Sequence, residues 1–338
     1  MIVNFPSMVL IDRSVEKELE RFLLGLDIGK RPVIICDENM KKMMGSRIKD
    51  ILSFETEIIT ASSIEKDDLK QLSERIEGFD FVIGLGGGRS IDIAKYSSFL
   101  AGKPWIAFPT ALSHDGVISS RASINHNGRI SANAVEPAAI IADLDTIKKA
   151  PYKLIAAGVG DIISNMSAVE DWKIASKKGK EEYHTLMAEL SLLSAKAVID
   201  HIDDIKSMNY HGLEILLWSL ICSGFAMNIC GSSRPCSGSE HNFSHALDKL
   251  GSNAMHGEQC ALGTIIMTYL QGRDWERTRD IIKRAGLPTT AKEIGIEKQL
   301  IIDALLMSRD IRNRYTVLNE IELSGRKAED ILKKTGII

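Results

Sequence analysis

The chain has 338 residues, with 42 Lys and Arg against 45 Asp and Glu, a formal net charge of −3, 44% hydrophobic residues and 26% charged ones. Such a composition excludes a disordered chain and a disulfide-held miniprotein. The absence of a basic block excludes nucleic acid or an anionic membrane as the main partner, because both need a concentrated positive field. Two domains, each with its own core, are expected at this length, and small acidic substrates stay open through one or two local cations.

No uninterrupted apolar stretch approaches the roughly 20 residues of a membrane-spanning helix. The opening MIVNFPSMVLIDRSVEKELE lacks the basic and apolar regions of a secretory signal. A cytoplasmic protein without a membrane span is therefore expected. The cysteines Cys36, Cys222, Cys230, Cys236 and Cys260 contain no C-x-x-C pair and read as buried reduced thiols.

In chain order, Arg31 to Asp37 (RPVIICD) is a β-branched run that predicts a strand, and the spacing of Met, Ile and Leu from Glu38 to Leu52 predicts a helix. Strand signals recur at Thr56 to Thr60, Phe79 to Leu85 and Pro104 to Phe108, separated by helical patterns at Lys66 to Ile76 and Ser90 to Leu100. This alternation predicts a parallel, doubly wound sheet. Near residue 150 the β-branched runs stop. Long Ala-, Leu- and Met-rich segments at Tyr183 to His201, Leu213 to Ile229, Cys260 to Leu270 and Leu300 to Met307 then predict helices. The expected organisation is an α/β Rossmann-like domain over 1–150 and an all-α domain over 151–338, with a ligand cleft between them.

The third of these strands runs into Gly84-Leu85-Gly86-Gly87-Gly88-Arg89-Ser90, directly before a helix. Glycines let the backbone approach a phosphate, and the free N–H groups of a helix start favour an anion. The loop fits neither the G-x-G-x-x-G nor the Gly-Lys-Ser/Thr fingerprint. The alternative is a tight turn with Ser90 as helix cap. Asp37, closing the first strong strand, reads either as a ribose ligand or as the cap of the next helix.

His241, His245 and His256 fall within sixteen positions, and His241 and His245 are one helical turn apart. Two imidazoles and a carboxylate can hold a metal with an open position, and Asp161 in GVGDIISN is the carboxylate to add. Taken singly, Asp161 also reads as a helix cap and His245 as a core residue. His114 is equally a site or a solvated residue, while His126, His184, His201 and His211 read as surface positions.

In sequence, GGGRSIDIAK, FPTALSHDGVIS, GVGDIISN, SGSEHNFSHALD and HGEQCALGT resemble the sn-glycerol-1-phosphate dehydrogenases, of the superfamily of iron-containing alcohol dehydrogenases, glycerol dehydrogenases and 3-dehydroquinate synthases. The resemblance runs from about Arg31 to about Leu270. It implies a dehydroquinate synthase-like fold and NAD(P)H-dependent reduction of dihydroxyacetone phosphate to sn-glycerol 1-phosphate for archaeal ether lipids. It also implies that Gly86, Gly87, Gly88, Arg89 and Ser90 surround the cofactor pyrophosphate, and that Thr110, Ala111, Leu112, Ser113 and Ser119 line the rest of NAD(H) or NADP(H). Asp161, His241 and His256 become the ligands of one zinc ion, with Asp161 also touching substrate. Asp115 and His245 become catalytic substrate contacts, so His245 leaves the ligand set. Arg234, seven residues before His241, is the cation expected to hold the substrate phosphate, its alternative being a surface arginine. A homo-oligomer is expected. Competing activities are an unphosphorylated-glycerol dehydrogenase and a dehydroquinate synthase-like lyase.

Overall fold

The computed structural model describes residues 5–126 and 128–338. They form two units, the first running up to Leu112 and resuming over Gly116–Pro151, the second comprising Ser113–Asp115 and Tyr152–Ile338. A single cut near residue 150 therefore misses one exchange: the short segment carrying His114 and Asp115 groups with the helical unit.

In the first unit, strands β1 (Met8–Asp12), β2 (Pro32–Cys36), β3 (Glu57–Thr60), β4 (Phe81–Gly86), β5 (Trp105–Pro109) and β8 (Ala139–Asp143) make one parallel sheet in the order β1-β8-β5-β4-β2-β3. An antiparallel hairpin, β6 (Arg121–Asn125) with β7 (Arg129–Asn133), stands apart from it. The helices are α1 (Glu16–Gly25), α2 (Glu38–Met40), α3 (Ser46–Ile51), α4 (Lys66–Arg75), α5 (Gly88–Ala101) and α6 (Leu144–Ile147), with a π turn at Lys41–Gly45 joining α2 to α3.

All residues of β2, β4, β5 and β8 are buried. Burial on both faces explains why these strands read as continuous apolar runs rather than alternating ones. Ile34, Ile83, Leu85, Phe108 and Ile141 pack with Leu19, Phe22 and Leu23 of α1 in one core cluster. The chain moves outward from β2 to β3 and then crosses to β4 on the other side of β2, so the strand order reverses between β2 and β4. Ligands of open α/β sheets bind at the carboxyl ends of strands at such a switch point. The residues that follow those two ends are Asp37 after β2 and Gly87-Gly88 after β4.

The second unit contains α7 (Tyr152–Lys177), α8 (Thr185–Asp200), α9 (Ile202–Lys206), α10 (Tyr210–Cys230), α11 (Ser239–Lys249), α12 (His256–Leu270), α13 (Trp275–Arg284), α14 (Lys298–Met307) and α15 (Gly325–Lys334). A Cβ on Gly257 would stand 1.9 Å from the Ala157 carbonyl oxygen, and one on Gly160 would stand 2.3 Å from that of Gly257. Only glycines permit α7 and α12 to cross this closely, and the crossing brings Asp161 to His256.

Despite its Ser, Gly and Asn interruptions, α10 has 21 residues and a most apolar window with a mean hydropathy of 1.7, long and apolar enough to cross a membrane by length and composition. Its most apolar window is 61% buried inside the unit, as for a core helix.

Candidate functional site

The glycine loop comes first along the chain. Gly86 has φ +145°, a backbone conformation open to glycine, and a Cβ there would stand 2.7 Å from Ser90 Oγ. Gly87 differs: its φ is −75° and a Cβ would meet nothing within 4 Å. It faces open space that a ligand can use.

Gly87, not Ser90, occupies the N-cap of α5, and no side chain caps that helix. The cap reading of Ser90 is thereby corrected. The first-turn N–H groups of α5 are left to an anion, which fits the pyrophosphate of a dinucleotide. Arg89 is exposed and Ser90 buried. The Thr110 N–H donates to the Gly86 carbonyl at 2.9 Å, fixing the following segment to the glycine turn. Thr110, Ala111, Leu112 and Ser119 are buried, and Ser113 is half-buried. Asp37 caps α2, accepting from the Met40 N–H at 2.8 Å.

Sequence reasoning missed Lys95. It is fully buried on α5 and donates from Nζ to the Gly116 carbonyl at 2.5 Å, the Arg121 carbonyl at 2.6 Å and Asp92 Oδ1 at 3.3 Å. Asp92 Oδ2 in turn accepts from the Ser123 N–H at 3.1 Å. This ion pair ties the Gly116–Arg121 segment, which carries Ser119, to the helix that begins at the glycine loop. A buried lysine in IDIAK gives no sign of this in the sequence, because the two carbonyls it holds lie more than twenty residues away.

The second cluster lies within the helical unit. Asp161 is buried in the middle of α7 and is not a helix cap. Its Oδ1 stands 3.5 Å from Nε2 of His241 and 3.5 Å from Nε2 of His256, while Oδ2 accepts from the Asp115 N–H at 2.9 Å. The half-buried Asp115 thus orients one carboxylate oxygen and leaves the other to the imidazoles.

Neighbours that the sequence did not reveal set both rings. His241 Nδ1 stands 3.0 Å from the buried carboxylate of Glu240, an acceptor, so the proton sits on Nδ1. Ser244 Oγ spends its proton on Gln259 Oε1 at 2.6 Å, so His256 Nδ1, 3.0 Å away, donates to that oxygen. Each ring thereby turns its Nε2 toward Asp161 Oδ1. Outer partners of this kind orient metal-binding histidines.

Charge reinforces the arrangement. Burial pushes the Asp161 carboxyl up, but hydrogen bonds from His241 and His256 outweigh it and hold the group well below the usual carboxylate range. Burial disfavours charge on His256, yet Cys260 and Asp161 raise it to about 10. His241 is likewise raised, against burial, by Cys260, Asp161 and Glu240. The pocket favours positive charge, which a divalent ion also supplies, and the donor set fits one.

Among the described residues, two groups have donor atoms close enough for a metal: Asp161 with His241, His256 and Cys260, and His201 with Asp204 and His211. His245 lies one turn from His241, with ring centroids 6.4 Å from His241 and 6.2 Å from His256. The sequence-predicted Asp161, His241 and His256 are therefore brought together, with Asp115 and His245 around them. His126, His184 and His211 are exposed, while His114 and His201 are half-buried. Cys36, Cys236 and Cys260 are buried, Cys222 and Cys230 half-buried, and all five are free thiols.

Arg234 is not available as expected. It is 3% exposed, and its Nε and Nη2 pair with both carboxylate oxygens of Glu181, Nη2 also donating to the Tyr315 carbonyl at 2.6 Å. A guanidinium committed to a carboxylate in this way is neither a surface group nor an open phosphate ligand, and the phosphate assignment is withdrawn.

A family model of iron-containing alcohol dehydrogenases matches residues 10–151. The whole chain is 42% identical to a glycerol-1-phosphate dehydrogenase (NAD(P)+) of Pyrococcus horikoshii, covering 99% of it, and 43% identical to one of Thermococcus kodakarensis, covering 98%. Among solved structures it is similar to a probable glycerol dehydrogenase from Sinorhizobium meliloti, with a TM-score of 0.80 at 18% identity, covering 99% of this chain and 97% of that one. The structural likeness bears on the fold, while the full-length identity to curated relatives bears on descent: the chain belongs to the glycerol-1-phosphate dehydrogenase family.

Proposed function

We propose that this chain catalyses the reversible NAD(P)H-dependent reduction of dihydroxyacetone phosphate to sn-glycerol 1-phosphate, the backbone of archaeal ether lipids. The observation that carries the reading is the pair of imidazoles at 3.5 Å from one Asp161 oxygen, each with its Nε2 turned inward. The names of the full-length relatives supply the substrate. The dinucleotide belongs chiefly to the first unit, and metal and substrate to the second, which includes Asp115.

Asp161, His241 and His256 hold zinc. When bound, zinc supplies Lewis acidity toward the substrate C2 carbonyl and the nicotinamide supplies the hydride. The chain's own part is positioning. Gly86 to Ser90 seat the pyrophosphate, Asp37 borders the ribose, and Thr110, Ala111, Leu112, Ser113 and Ser119 line the remaining cofactor surface. Asp115 orients Asp161 through its N–H and faces substrate, and His245 delivers the proton to the C2 oxygen. The enzyme works in the cytoplasm as a homo-oligomer; Leu186 and Leu193, seven residues apart on α8 and 74% and 61% exposed, support self-association.

Gly87→Val tests the cofactor loop. The φ of −75° and the surrounding free space allow the side chain, so folding and metal content stay normal. The KM for NAD(P)H rises by about tenfold or more as the valine fills pyrophosphate space. An unchanged KM would reduce the loop to a structural turn.

Rates of NADH and NADPH oxidation with dihydroxyacetone phosphate and with dihydroxyacetone test the activity itself. The relatives' names point to a phosphorylated substrate, so kcat/KM is expected to be about ten- to hundredfold higher for the phosphorylated triose, the range of one charge-assisted hydrogen bond. Equal use of both would make the protein a plain glycerol dehydrogenase, and an absence of net cofactor oxidation would favour a lyase.

A further inference from the structure

The second group of metal-binding side chains takes no part in the reaction proposed above. It lies where three helices meet: His201 separates α8 from α9, Asp204 is in α9, and His211 is in the first turn of α10. One donor atom from each lies within 4.8 Å of the others. His201 and Asp204 are half-buried, and His211 is exposed.

The local structure fixes two of these donors and brings up the third. His201 Nδ1 donates to the Ala197 carbonyl at 2.9 Å, one turn back on α8, which leaves Nε2 as the nitrogen open to an ion. Asp204 Oδ1 accepts from Asn209 Nδ2 at 2.8 Å. Asn209 also caps α10, its Oδ1 accepting from the Gly212 N–H at 2.8 Å. One residue therefore orients the carboxylate and starts the helix that carries His211. A Cβ on Gly212 would stand 2.3 Å from the Asp204 carbonyl carbon, so only glycine lets α10 begin this close to α9. The turn before it holds Met208 at φ +55°, a left-handed conformation unfavourable for a residue with a Cβ.

The spacing can be compared with a metal's own geometry. An ion with bonds of about 2.0–2.2 Å keeps neighbouring donors about 3.3 Å apart and opposite donors no more than about 4.4 Å apart. The separations here exceed that upper limit by at most a few tenths of an ångström, which a rotation of the exposed His211 ring takes up. The two rings stand edge to face with centroids 5.2 Å apart. Ring packing alone accounts for two histidines together, but not for a carboxylate oriented within reach of both.

We propose that His201, Asp204 and His211 bind a second zinc ion, which pins the start of α10 to α8 and α9. Two neutral imidazoles and one carboxylate suit zinc and offer too few oxygens for magnesium or calcium. Three protein donors leave the fourth position to water, and the exposed His211 gives the ion a path from solvent. Binding involves no change of oxidation state. No residue is shared with Asp161, His241 and His256, so the proposal stands or falls apart from the catalytic metal.

Zinc uptake by metal-stripped full-length protein, read by equilibrium dialysis and elemental analysis, tests it. Wild type is expected to hold two zinc ions per chain. His211→Ala is expected to hold one and to keep its kcat, while Asp161→Asn, without the catalytic ion, also holds one. Adding His211→Ala to Asp161→Asn weakens that remaining zinc by at least about ten- to hundredfold, the range for losing even an outer partner. Thermal unfolding gives an independent reading, because zinc raises the Tm of Asp161→Asn and not that of the double variant. Zinc content and affinity that His211→Ala leaves unchanged overturn the proposal, whatever the catalytic site does. A single ion in wild type that His211→Ala removes supports the second site and overturns the catalytic metal instead.

Discussion

Asp161→Asn is expected to keep the fold and to lose activity by a factor of about a thousand or more. The amide has nearly the shape of the carboxylate, and its oxygen can still accept from the Asp115 N–H, now held at 2.9 Å. What disappears is the charge that faces Nε2 of both His241 and His256. Lewis-acid stabilisation of a developing alkoxide amounts to several kcal/mol, and each 1.36 kcal/mol corresponds to a factor of about ten. The measurement is metal content by elemental analysis beside kcat, with NAD(P)H binding and thermal unfolding as controls. Loss of metal with an intact cofactor site is the expected result. Near-normal kcat in a variant depleted of metal would remove Asp161 from the chemistry.

Lys95→Met is expected to have the largest effect on stability. The side chain is fully exchanged for one of similar length, so no large cavity forms, but Asp92 loses its buried counter-ion and the Gly116 and Arg121 carbonyls lose a donor. Breaking a buried pair by removing one partner costs about 3–5 kcal/mol. Urea unfolding should show that loss, and the KM for NAD(P)H should rise because Ser119 lies in the segment that Lys95 ties down. Adding Asp92→Asn removes the stranded charge and should restore part of the stability. Stability unchanged in Lys95→Met would mean that the ion pair contributes nothing net.

The sequence predicted best the features carried by local pattern. The strands at β2, β3, β4 and β5 announced themselves as β-branched runs, and the glycine loop stood out because three consecutive glycines exceed what a turn needs. β1 and β8 were missed although they pair along five residues: AIIAD and MVLID are short, lack a period, and become strands through each other and β5. The hairpin of β6 and β7 was missed because SINHNGRIS carries too little apolar contrast. α7 reads weakly for the opposite reason. It is buried nearly all round, so no apolar stripe marks it.

At the site, the residue types and the i, i+4 spacing of His241 and His245 were legible, and the family pattern singled out Asp161, His241 and His256. Their outer partners were not. Glu240, Ser244 and Gln259 are ordinary polar residues until the crossing of α11 and α12 sets their atoms against the two imidazoles. Arg234 shows the reverse error. Seven residues from a histidine and in a Gly- and Ser-rich loop, it looked free, but its partner Glu181 lies 53 residues earlier in the chain.

Metal-assisted reduction at Asp161, His241 and His256 is tested by turnover of dihydroxyacetone phosphate with NAD(P)H by the full-length protein, measured before chelation, after removal of metal, and after return of one equivalent of zinc. Activity is expected to fall to background with the metal and to return with zinc, while cofactor binding to the metal-free protein persists. Full activity in metal-free protein would contradict it.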